Sequence, residues 1–176
     1  QAGVYSFAFN IASVVMMPIS QFHMVTFPQI NQYIHDQAWQ PLQNLLKKTT
    51  AIALFWIGGC LVGFSIIGHW VLTVYKGGEY IESYYLVLIL LVGLGFLNGF
   101  FWNRNVLLSF SKQNFTLLTY SIFGFARIIL MLIFVPKFGL IMQAILFSLS
   151  FILIISLNSL EGLREIKKKE RMLEAF

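Results

Sequence analysis

The sequence predicts an all-α integral membrane protein with five transmembrane helices. Three observations predict it. First, hydrophobic residues make up 58% of the chain and charged residues only 11%, with a mean hydropathy of +0.76. A soluble domain carries about 25% charged residues, so this chain lacks the polar side chains to cover a water-facing surface. Second, five segments stay predominantly apolar over the roughly 20 residues that a spanning helix needs. They lie at about residues 4–27, 50–74, 83–108, 115–135 and 140–157. No period-2 alternation with short turns appears, which argues against a β-barrel. Third, the basic residues divide unequally between the two sets of connections.

The first segment, "GVYSFAFNIASVVMMPIS" and onward, follows Gln1 and Ala2 with no basic stretch or cleavage site, so it does not read as a signal peptide. The chain reads as a piece of a longer protein. Ser6, Asn10, Ser13 and Ser20 share one helical face, flanked by Gln21. Pro18 is expected to kink the helix or serve as a hinge. The second segment carries "GGCLVG", with Gly59 and Gly63 at GxxxG spacing, and the third has Gly95 and Gly99 at the same spacing. Both pairs predict close helix packing. Cys60 is the single cysteine and allows no internal disulfide.

The third segment carries a second polar stripe, Asn98, Trp102, Asn105 and Ser109. The fourth carries a third, Thr116, Tyr120 and Arg127, with Thr119 beside it. A lone serine or threonine in a span ordinarily bonds a neighbouring helix or its own backbone. Three stripes on three helices predict a shared hydrophilic cavity. The fifth segment runs into "EGLREIKKKERMLEAF", a basic tail helix over residues 161–176 with Glu161–Arg164, Glu165–Lys168 and Glu165–Lys169 at pairing distance along a helix. The tail predicts a solvated charged face or a contact with anionic headgroups of membrane lipids.

Lys47, Lys48, Arg104, Lys112, Arg164, Lys167, Lys168, Lys169 and Arg171 fall on one side of these five spans. Only Lys76 and Lys137 fall on the other. The positive-inside rule makes the first side, with the C-terminus, cytoplasmic. The net charge of +5 arises from this asymmetry and gives no reason to expect nucleic acid as a partner.

Arg127 belongs to neither side. It lies nine residues before Pro136, so at about 1.5 Å per residue it is roughly 13 Å from the outer end of its span. That is near the middle of a hydrocarbon core about 30 Å thick. Facing lipid there costs at least about 2.5–3.5 kcal/mol. The seven acids, Asp36, Glu79, Glu82, Glu161, Glu165, Glu170 and Glu174, all fall in loops, span ends or the tail. Either an acid outside this chain neutralises Arg127, or it faces water and an anionic ligand, or it caps backbone carbonyls or snorkels to the interface. Its planar fork suits phosphate, which it can hold through two parallel hydrogen bonds. Arg104 lies closer to the cytoplasmic end, where an interfacial anchor is the ordinary role. His23, His35 and His69 are scattered without metal-ligand spacing, and no nucleotide-binding loop or nucleophile elbow is present. The chain therefore predicts no enzyme, no metal and no cofactor.

The order of these landmarks resembles the C-terminal part of bacterial oligosaccharide (O-antigen type) flippases of the multidrug/oligosaccharidyl-lipid/polysaccharide exporter superfamily. The matching stretches are "GVYSFAFNIASVVMMPIS", "TFPQINQ", "DQAWQPLQNLLKKT", "VYKGGEY" and "VPKFGLIMQAILFSLS". Met142 and Gln143 stand where relatives have a Gly-Ala pair, and Arg127 stands where they often have Asn. The resemblance implies part of the C-terminal lobe of a two-lobed bundle of 12–14 helices in the bacterial plasma membrane. It implies a central cavity, opening alternately to each side, that moves an isoprenoid-diphosphate-linked oligosaccharide outward for cell-surface polysaccharide biosynthesis. Glycan polymerases or glycosyltransferases are the implied protein partners. The expected cavity residues are Arg127, Tyr120, Asn98, Asn10, Ser13 and Arg104. A multidrug or cation antiporter and a lipid II flippase of the same superfamily are the alternatives, and a non-transporting membrane scaffold is a third.

Overall fold

The computed structural model describes residues 2–75 and 80–174. Within them the elements are α1 (Ala2–His35), α2 (Trp39–Val74), α3 (Ser83–Gly99), α4 (Trp102–Ser109) and α5 (Gln113–Glu174). Four stretches are long and apolar enough to cross a membrane: Gly3–His35, Trp39–Val74, Ser83–Ser109 and Gln113–Met172. Lys76 and Glu79 of "YKGGEY" lie outside the described residues.

Three backbone positions with positive φ mark the reversals. Gln37 (φ 53°) turns α1 into α2, and Ser111 (φ 56°) turns α4 into α5. Gly139, at φ 72° and ψ −160°, breaks α5 itself. That combination is essentially restricted to glycine. The arms on either side of Gly139 run antiparallel, because Lys112 meets Glu165, Thr119 meets Asn158, and Arg127 meets Phe151. The residue numbers in each pair add to nearly the same value, which is the register of a hairpin centred on Gly139. The third predicted span also breaks: α3 ends at Gly99, Phe100 adopts φ −112° and ψ 30°, and α4 resumes at Trp102. In contrast, α1 runs without interruption through Pro18 and Pro28. Its Ala8, Ala12, Met16 and Ile19 are packed into the bundle around the first proline.

The core is organised on α3. Leu86, Val87, Leu90, Leu91 and Leu94 are buried with the α1 face just named, with Ala53 and Ile57 of α2, and with Ala144 of α5. Close approach depends on α3 glycines. A Cβ on Gly93 would sit 2.6 Å from the Ser148 Cα, and one on Gly95 would sit 2.8 Å from Ile57 Cγ2. Gly99 also faces Ile57 and Ala53. Gly59 and Gly63 of α2 differ from the GxxxG expectation, since nothing among the described residues lies within 4 Å of a Cβ at either. Helical spacing alone does not say which glycine face meets a neighbour.

A second cluster closes the basic end. Ile30, Trp39, Leu42, Leu46, Trp102, Val106 and Ile166 are buried together. At 36 residues α2 is about 54 Å long, well beyond a hydrocarbon core of about 30 Å. The predicted link at residues 28–49 is therefore helical on both sides of a short turn at Asp36–Ala38. The tail is a docked continuation of α5, with Ile166 only 1% exposed. Glu161 lies 3.8 Å from Arg164, as the helical spacing predicts. Glu165 instead reaches Lys112 at 3.1 Å, with Glu161 also within 3.8 Å of it. The Glu165 hydrogen bond and charge, helped by Glu161, hold the Lys112 ammonium above the usual lysine range. The nine basic residues counted above thus gather at one end of the bundle.

The outer faces are apolar. Phe55 is 86% exposed, and Ile66, Leu132, Trp70 and Phe125 are also largely uncovered. Water would not tolerate that much contiguous apolar surface, whereas hydrocarbon would. The close contacts at α3 predict different outcomes for two glycine substitutions. Gly93→Leu should push α3 off Ser148 and cost the 1–3 kcal/mol typical of overpacking, or about that. Gly59→Leu should leave stability nearly unchanged. Thermal unfolding in mild detergent, followed by size-exclusion fluorescence, distinguishes them, and equal losses would contradict the assigned helix faces.

Candidate functional site

Arg127 occupies the first arm of α5, two turns beyond Tyr120 on one helical face. Its guanidinium carbon lies 5.4 Å from the centre of the Phe147 ring and 5.9 Å from that of Phe151, both on the returning arm. Phe147 in turn meets Phe9 of α1 edge-on at 5.7 Å. Arg127 therefore sits where α1 and the two arms of α5 converge. Its Nε is buried and has no hydrogen-bond partner among the described residues. The ion pairs among the described residues involve only Lys112 and Arg164 as cations. Cation–π contacts contribute about 0.5–2 kcal/mol each. Two of them offset much of the cost of holding the charge at mid-depth, yet they satisfy none of the five N–H donors of a guanidinium.

Toward the basic end, the same face opens into a cleft of about 490 Å³ lined by Arg104, Leu108, Gln113, Asn114, Thr116, Leu117 and Tyr120. Arg104 is there because α4 buries Trp102, Asn103, Asn105, Val106 and Leu107, which leaves positions 104 and 108 facing outward. Thr116 Oγ1 is buried without a hydrogen-bond partner. Gln113, Thr116, Tyr120 and Arg127 follow one another at i, i+3, i+7 and i+14, so one face of the first arm carries polar groups from the cleft to Tyr120 and again at Arg127, with Phe123 and Gly124 between them. Gln113 and Asn114 escape a sequence reading because polar residues at a helix start look like ordinary interfacial ones. Their spacing to Thr116 and Tyr120 is the signal that marks Gln113.

The other polar residues divide. Ser109 Oγ donates to Asn31 Oδ1 at 2.6 Å, Trp102 Nε1 donates to Thr50 Oγ1 at 2.8 Å, and Asn103 Nδ2 donates to Ser159 Oγ at 3.2 Å. Thr119 Oγ1 donates to Asn158 Oδ1 at 3.2 Å between the arms of α5. These are bonds between packed helices. Asn98 Nδ2 donates to the Leu94 carbonyl of its own helix at 2.8 Å, and Ser20 Oγ to that of Met17 at 2.7 Å. On α1, Asn10 is exposed and Ser13 half-buried, and Ser13 lies one turn beyond Phe9, which meets Phe147. The structure thus brings Arg104 and Tyr120 into one cleft, with Arg127 farther along its stripe. Asn98 is not among the residues lining that cleft.

No family model, no curated protein and no solved structure matches this chain. The chemistry of the site therefore has to carry its interpretation. If the stripe is wetted, then in a Cys60→Ser background Tyr120→Cys and Asn10→Cys should react with a membrane-impermeant maleimide. Leu132→Cys, exposed with Ile128, Ile129 and Val135 as its helical neighbours, should not. Equal labelling at Tyr120 and Leu132, or none at Tyr120 in any state, would show that the stripe is packing rather than a passage.

Proposed function

We propose that this chain is part of the C-terminal lobe of a transporter that moves an isoprenoid-diphosphate-linked oligosaccharide from the cytoplasmic to the outer leaflet. The observation that carries this reading is Arg127: a cation held at mid-depth by two phenylalanine rings, with a buried Nε that bonds to nothing. An anion that visits transiently accounts for a charge kept without a resident counter-ion. A diphosphate is the anion that best uses an arginine fork, because two of its oxygens accept parallel N–H bonds.

On this reading the hairpin at Gly139 makes α5 two spans, which gives five in all, and the basic end is the cytoplasmic one. Arg104, Gln113, Asn114 and Tyr120 form the loading cleft, where a diphosphate meets one arginine and the attached sugars meet amide and hydroxyl groups. The stripe then leads past Thr116 and Tyr120 toward Arg127, about 10 Å or two helical turns beyond Tyr120. The isoprenoid chain stays against the apolar outer faces. Alternating access moves the headgroup from the first arginine to the second and releases it outward. Tight binding at rest would slow release, so an arginine partly occupied by aromatic rings suits a site that must both take up and let go its anion. A cationic drug would call for carboxylates along the stripe, and it has none, which favours the anionic substrate over the antiporter reading.

In the full-length protein in its own cells, Arg127→Ala should abolish export of the surface glycan while membrane levels of the protein stay normal. Arg127→Lys should retain partial activity, since it keeps the charge and loses the fork. Unimpaired export by the Ala variant would refute the ligand role.

A further inference from the structure

A groove of about 570 Å³ lies at the basic end, on the side where the tail docks against α2. Its walls are mostly apolar, formed by Leu46, Ala51, Leu54, Phe100, Leu163 and Ile166, and Gln43, Thr50, Lys47 and Lys167 also line it. Lys167 is shared with a neighbouring basic surface formed by Arg164, Lys168 and Arg171, which repeat at i, i+3, i+4 and i+7 along one face of the tail. The groove therefore pairs an apolar slot with a cationic rim.

The charge distribution explains why this rim stays positive. Glu161 and Glu165 are turned to Lys112, on the side of the first α5 arm. Glu170 accepts a hydrogen bond from Gln43 Nε2 at 3.0 Å. That bond leaves the Glu170 carboxylate charged beside the groove, one negative charge against Lys47, Lys167 and the neighbouring Arg164, Lys168 and Arg171, and among the described residues neither Lys47 nor Lys167 has an ion-pair partner. Trp102 lies at the groove with its indole N–H bonded to Thr50, and Leu54 continues the slot along α2 into the apolar span. A slot that begins at a cationic rim and runs into the membrane matches a molecule with an anionic head and a long apolar tail.

We propose that this groove is a binding site for an anionic glycerophospholipid, separate from the Arg104–Arg127 stripe. Its phosphate sits between Lys47 and Lys167, and one acyl chain lies along Leu54 and Phe100. The bound lipid staples the tail to α2 by neutralising Lys47 of α2 and Lys167 of the tail, which both line the groove. The inference rests on the membrane placement of the bundle and not on the identity of any transported substrate.

The test is native mass spectrometry of the purified full-length protein in neutral detergent, titrated with phosphatidylglycerol or phosphatidylcholine. The wild-type chain should retain phosphatidylglycerol selectively. At about fivefold per lysine, Lys47→Gln with Lys167→Gln should lower its apparent affinity roughly 25-fold. Lys48→Gln with Lys169→Gln removes the same charge from the same two helices outside the groove and should change affinity less than about threefold by the screening of exposed charges. Leu54→Trp, which fills the slot and leaves every charge in place, should also reduce retention, and Lys47→Arg with Lys167→Arg should restore it. Equal retention of the two lipids, or equal losses in the two charge-matched pairs, would overturn the proposal. Selective capture of an acidic peptide in place of the lipid by the Lys47–Lys167 pair, with Leu54→Trp without effect, would overturn it as well.

Discussion

The contact between Gly93 and Ser148 is the constraint on which the rest of the bundle depends. It brings the backbone of α3 against that of the second α5 arm, and Ser148 Oγ donates to the Ile89 carbonyl at 2.7 Å across the same junction. Association in a bilayer gains nothing from excluding lipid in favour of leucine, so it rests on close packing and a few hydrogen bonds. With α3 seated on the returning arm, Ala144 enters the core and the Phe147 and Phe151 rings, a few residues farther along, are presented to the first arm. The position of Arg127 is thus a consequence of packing two helices away.

The hairpin at Gly139 turns that packing into a site. A continuous helix of 62 residues would place Arg127 and Phe151 about 36 Å apart at 1.5 Å per residue. A single glycine at φ 72° folds the two together. The same fold brings Lys112 to Glu165 at the far end of the arms. The two arms are consequently held by an ion pair at the basic end, by Thr119 and Asn158 in between, and by cation–π contacts at mid-depth. The charged groups obey one logic along this axis. Near water the lysine finds carboxylates, and farther along the arginine rests on the Phe147 and Phe151 rings.

The basic end illustrates how a charged tail can belong to the fold. Ile166 anchors it among Ile30, Leu42 and Trp102; Glu161 and Glu165 turn to Lys112 and Glu170 to Gln43 of α2, while Arg164, Lys167, Lys168 and Arg171 form a basic surface. The tail therefore contributes both to the packing of the bundle and to a basic surface at its edge. The polar stripe reaching Arg127 and the basic groove along α2 are distinct features of one end of the same helical assembly.

Much of this was readable from the amino-acid sequence. Composition and apolar run length determined the helical membrane class, because a bilayer leaves the backbone few alternatives. Charge asymmetry sorted the ends, and the isolation of Arg127 from any acid was visible in the order of residues. Tertiary structure alone decided which glycines meet a neighbour, Gly93 and Gly95 rather than Gly59 and Gly63. It also decided that Trp102, Asn103 and Ser109 are used between helices while Arg104 faces a cleft. The physical reason is that helical periodicity specifies which residues share a face, while the facing partner is set by contacts between segments distant in sequence. Only the folded chain shows that Arg127 is met by Phe147 and Phe151, and that its Nε is left without a bond.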